Sequence, residues 1–181
     1  MLINVLKSTQ LKMKSLITFI AIVSAVALPQ LFHAIGIISD TGNLLGATFL
    51  PMHIPVLIAA LIGGPIVGLI SGAISPIISF AISGMPALTL LPFMVIELTV
   101  YGLVGGMIYK VNTPTIVKLL IIQLAGRAAR SFAVIIAVYG FNSEIVELSS
   151  IYTSFTTSLP GIVLQWALIP LIIYRINGMK K

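Results

Sequence analysis

Apolar residues run through this chain in long blocks, and charge appears mainly between them. Residues 15–39 carry no Asp, Glu, Lys or Arg, and residues 41–96 carry none either. Runs of this length without charge read as membrane-spanning helices. Gly, Pro, Ser and Asn punctuate the blocks. They predict spans over residues 15–36, 51–64, 65–83 and 88–109. A fifth starts at Thr113-Pro114, read as an N-cap followed by a first-turn proline, and ends before Gly140. A sixth covers residues 154–174. The fold class predicted is an all-α polytopic membrane protein: a six-helix bundle forming a single integral-membrane domain over residues 1–181.

The second span is too short. Residues 51–64 rise roughly 21 Å at 1.5 Å per residue, against a hydrocarbon core of about 30 Å. The preceding segment, residues 39–50, is therefore expected to dip into the bundle as an outer loop. Irregular backbone at that depth survives only when buried in protein or lining a cavity. The alternative is a tilted helix that starts near Leu44 and bends at Pro51.

Composition sharpens the class. Of the 181 residues 59% are hydrophobic and 8% charged, where soluble domains carry about 25% charged. This excludes a soluble enzyme, a disordered chain and, despite a net charge of +6, a nucleic-acid binder. There is no cysteine, hence no disulfide or thiolate site. Lys7, Lys12, Lys14, Lys110, Lys118, Arg175, Lys180 and Lys181 fall at the N-terminus, the fourth connection and the C-terminus. The opposite loops carry Asp40, Glu144 and Glu147. By the positive-inside rule both termini are expected in the cytoplasm, in a multi-pass cell-membrane protein. Residues 7–27 also resemble a signal peptide with an Ala25-Val26-Ala27 site, but the apolar run continues past it, so no cleavage is expected.

Small residues recur every four positions: Gly64, Gly68 and Gly72; Gly102 and Gly106; Ala125, Ala129, Ala133 and Ala137; Ala21 and Ala25. In lipid, such ridges let helix backbones approach closely.

The candidate chemistry lies in the few polar residues inside the apolar blocks: Gln30, His33, His53, Glu97, Gln123, Arg127, Arg130 and Gln165. Charge in a membrane interior is costly and marks function by default. Gln123, Arg127 and Arg130 fall at i, i+4 and i+7, within about 60° on one helix face. Their depths, with Glu97 about 14 Å below its helix start and Gln165 about 11 residues down the last span, describe one polar cavity open outward and closed below. Two arginines against one glutamate leave a positive surplus, suited to a carboxylate or phosphate. Pairing of Glu97 with an arginine and direct contact of Glu97 with ligand both stay open. The two histidines make a poor metal site, and no metal or other cofactor is expected.

Phe49-Leu50-Pro51-Met52-His53-Ile54-Pro55-Val56, followed by Gly63-Gly64-Pro65-Ile66-Val67-Gly68, Ser75-Pro76 and Gly84-Met85-Pro86, resembles the S components of energy-coupling factor (ECF) vitamin transporters. The 97–102 stretch, Gly126-Arg127 and Leu159-Pro160-Gly161 are similar too. The resemblance implies a subunit that captures a vitamin or related micronutrient outside. It then works with a transmembrane T component and two ATPase subunits. Ala21 and Ala25 are similar to the helix 1 motif that contacts the T component. The string around His53 resembles pantothenate-specific members; pyridoxine-type compounds and hydroxymethylpyrimidine stay open. The chain has no G-x-x-x-x-G-K-[ST] motif for ATP of its own. A stand-alone transporter or small channel is the alternative class. An intramembrane enzyme is a further one, with Ser71 in a G-x-x-S-G string that lacks the G-x-S-G spacing of rhomboid-type proteases.

Overall fold

A computed structural model describes residues 2–42, 44–141 and 147–178, with residues 2–8 and 177 as backbone only. Glu144, Lys180 and Lys181, and the side chain of Lys7, used above for orientation, lie outside this description. Among the described residues there are eight α-helices and no strand: α1 (Leu2–Ile38), α2 (Leu44–Phe49), α3 (His53–Gly63), α4 (Pro65–Ser83), α5 (Leu91–Met107), α6 (Thr115–Ile135), α7 (Ser149–Thr157) and α8 (Leu159–Gly178). A π-helical turn, Ile136–Gly140, extends α6. Five stretches are long and apolar enough to cross a membrane, with Leu44–Gly63 counted as one, and α5 is a shorter sixth apolar helix. The all-α membrane class holds.

Glycine and proline set several of the boundaries. Gly64 takes φ +86°, a conformation most residues avoid, and Pro65 then opens α4 where a missing N–H costs nothing. Gly84 ends α4 in the left-handed conformation, its N–H bonded to the Phe80 carbonyl at 2.8 Å.

α4 and α5 meet through their glycine ridges. A Cβ on Gly68 would strike the Gly102 carbonyl, one on Gly72 the Leu98 carbonyl, and one on Gly106 the backbone of Pro65. Only hydrogen at these positions permits this approach. The core continues through Leu57, Tyr101, Leu119, Ile122 and Ile169, which join α3, α5, α6 and α8.

Four expectations are corrected. First, α1 begins well before residue 15, since nothing in residues 2–14 breaks a helix. Second, the 39–50 segment is largely helical: α2 forms, and the break falls at Leu50 and Pro51. Leu50 adopts φ +49°, a left-handed value uncommon for a non-glycine residue, and this turns the chain out of α2. α2 still packs into the protein, with Phe49 against Phe32 at 5.7 Å and Thr48 and Phe49 pressed on Gly161. Third, Pro114 and not Thr113 occupies the cap position of α6, and no side chain caps it. Fourth, the predicted last span divides: α7 stops at Thr157 and α8 starts at Leu159. Pro160 lacks the N–H that a continuous helix would need there.

The helix 1 ridge packs inward. Ala21 is 4% exposed and packs with Ala59 and Val67, and Ala25 is fully buried against Met52, Val56 and Leu98. Both lie in the chain's own core. The exposed face of α1 instead carries Leu16, Phe19, Ile20 and Val23.

Candidate functional site

Glu97 is the hub. It is fully buried on α5, six residues after the helix start, or roughly 9 Å rather than 14 Å, because the helix begins at Leu91. Arg130 Nη1 donates to its Oε2 at 2.9 Å. Arg127 Nε stands 3.2 Å from Oε1, an ionic contact whose N–H is not aligned as a hydrogen bond. The Tyr101 hydroxyl donates to Oε1 at 3.3 Å, and His53 Nε2 lies 3.9 Å from it. The polar face of α6 therefore converges on one carboxylate, and pairing of Glu97 is what the geometry shows. The two arginines share it, and among the described residues no second carboxylate reaches them. One positive charge stays uncompensated within the cluster. A buried ion pair is weak evidence for stability, because desolvation offsets attraction.

The break between α7 and α8 serves the cluster. It places the Ser158 hydroxyl where Arg127 Nη2 donates to it at 2.5 Å. Sequence reasoning missed Ser158, although Leu159-Pro160-Gly161 carried the signal for a helix boundary.

A partly open cavity of about 380 Å³ lies beside the cluster, within the roughly 300–1,000 Å³ usual for small-ligand sites. Arg127 and Arg130, 11% and 17% exposed, reach its wall, whereas Glu97 does not. His33 of α1 and His53 of α3 line it as well. Its apolar surface comes from Pro29, Leu50, Met52, Met85, Leu90 and Met94. Ser79 of α4 and Ser150, Thr153, Ser154 and Thr157 of α7 add hydroxyl groups that the sequence did not single out. Gly46 and Ala47 of α2 close one side, so the segment expected to cover the site does border it. The left-handed Leu50 lets the chain turn from α2 into α3 along the cavity wall.

Three expected site residues lie elsewhere. Gln123 and Gln165 bond to each other, Nε2 to Oε1 at 2.8 Å, and Trp166 Nε1 donates to Gln123 Oε1 at 2.7 Å. This buried network ties α6 to α8. Gln165 is six residues into α8, shallower in its helix than the expected 11, because α8 starts at Leu159. Gln30 donates to Ser83 Oγ at 2.8 Å and ties α1 to α4. Ser71 is spent on the Val67 and Gly68 carbonyls, as a packing residue.

The described residues thus combine an apolar helical bundle with small, partly open cavities whose walls include Arg127 and Arg130. No curated protein and no solved structure matches it. A family model, described as ECF transporter, substrate-specific component, matches residues 14–176 and so covers nearly all 181 residues. The chain belongs to the substrate-specific components of ECF transporters, the membrane subunits that bind the small-molecule substrate and work with T and ATPase components.

Proposed function

We propose that this chain is the capture subunit of an ATP-driven importer for a small acidic vitamin or related micronutrient, with pantothenate as the first candidate. The arginine pair carries the reading. Two guanidinium groups share one carboxylate, reach the cavity wall and keep a surplus positive charge. Arginine holds carboxylate or phosphate through paired N–H donors. The apolar lining between α1, α3 and α5 suits the carbon skeleton of such a ligand, and the hydroxyl groups of α7 suit its polar substituents. The basic N-terminus, fourth connection and C-terminus favour cytoplasmic termini, which would open the cavity outward.

Uptake into vesicles tests this. Radiolabelled pantothenate and related acids should accumulate only when the chain is co-reconstituted with a T component, both ATPase subunits and ATP. Accumulation by the chain alone, driven by an ion gradient, would overturn the reading in favour of a stand-alone transporter.

A further inference from the structure

Four serines repeat every four residues on α4: Ser71, Ser75, Ser79 and Ser83. Three return their hydroxyl to the helix. Ser71 Oγ donates to the Val67 carbonyl at 2.8 Å, Ser75 Oγ to the Ser71 carbonyl at 2.6 Å, and Ser83 Oγ to the Ser79 carbonyl at 2.8 Å. That back-bond is the local solution for a helical serine, because it needs no outside partner. Ser79 breaks the series. It is 1% exposed, and its Oγ has no hydrogen-bond partner among the described residues. The sequence gives no reason for the exception, since the Ser75 carbonyl lies one turn back, as in the other three cases.

Ser79 lines the cavity, and so do three more residues with unpaired buried atoms: Arg127, whose Nε has only its ionic contact to Glu97, and two histidines. Among the described residues, neither ring nitrogen of His53, which is 1% exposed, has a hydrogen-bond partner, and His33 Nδ1 has none either. Buried polar atoms are nearly always paired, so Ser79 and the two histidines, gathered on one cavity, require an explanation. They come from α4, α3 and α1, whereas the guanidinium groups come from α6. His53 connects the two sets, its Nε2 standing 3.9 Å from the carboxylate that holds both arginines.

We propose that Ser79, with His53 and His33, forms a second polar subsite that hydrogen-bonds a hydroxyl or amide of the ligand. This rests on the reading of Arg127 and Arg130 as the anion site. The ligand class is then narrower: a small acid with a hydroxyl or amide separated from its carboxylate by an apolar stretch. Among the described residues the Ser79 hydroxyl has no bond to give up when it turns to such a group. A site built to pair a hydroxyl discriminates against the analogue that lacks it.

Equilibrium binding on the purified full chain tests this with a panel of small acids, pantothenate included. Each acid is paired with its deoxy analogue and its neutral amide. The wild-type chain should prefer the hydroxylated acid by about tenfold over the deoxy analogue, the worth of one hydrogen bond. Ser79→Ala should bind both alike, with deoxy affinity unchanged. Because the Ser79 hydroxyl bonds to none of the described residues, Ser79→Ala should melt no lower than wild type without ligand. A hydroxyl preference that persists in Ser79→Ala overturns this subsite and leaves the anion site standing. If no acid binds more tightly than its amide, the anion reading fails and this subsite fails with it.

Discussion

An Arg127→Gln/Arg130→Gln double variant strips the buried Glu97 of both counter-charges and should be less stable; where it folds, it is expected to lose about 2–4 kcal/mol of ligand binding, roughly 30- to 1000-fold in affinity. Each arginine reaches the cavity wall while anchored on Glu97. Glutamine keeps a polar end but removes the charge from a water-poor site. Arg130 has the straight 2.9 Å bond to Glu97, so Arg130→Gln alone should also loosen the carboxylate. Arg127 keeps a second anchor in Ser158. Equilibrium binding of the tightest acid in the panel measures both effects. Wild-type affinity in the folded double variant would remove the anion site from consideration.

Glu97→Ala is expected to produce the largest loss of stability. Glu97 is fully buried and receives contacts from Arg127, Arg130 and Tyr101. Removing it leaves two mostly buried guanidinium groups without a counter-charge, and breaking a buried pair costs about 3–5 kcal/mol. Glu97→Gln still accepts a hydrogen bond from Arg130 and should lose less. Thermal unfolding in detergent reads the difference. Because the anion would replace part of the missing negative charge, a binding acid should restore some of the Glu97→Ala loss through linkage. A Glu97→Ala variant as stable as wild type would show that the carboxylate does not hold the arginines in place.

Much of the fold was legible because punctuation in a membrane chain is sharp. Gly64-Pro65 and Gly84 stop helices for reasons of backbone geometry that no tertiary contact reverses. The central cluster was legible because ionisable residues are rare in an apolar run. Glu97, Arg127 and Arg130 stood out, and the structure brings them within contact distance. Orientation within the bundle was harder to read. In lipid the inside and outside of a helix are similarly apolar, so the Ala21–Ala25 stripe did not reveal that it faces the core. The break between α7 and α8 rests on Pro160, with a Ser- and Thr-rich α7 before it and an apolar α8 after it. Gln123 and Gln165 had the depth of site residues, but they bond to each other and to Trp166 between α6 and α8. Ser79 carried no signal at all, because a back-bonded serine and an unpaired one have the same sequence context.

The most direct measurement is equilibrium binding of one acid and its neutral amide to the wild-type chain in detergent or nanodiscs. The surplus charge at Arg127 and Arg130 predicts that the acid binds at least roughly 30-fold more tightly, the worth of one lost charged partner. Equal affinity, or tighter binding of the amide, would contradict it.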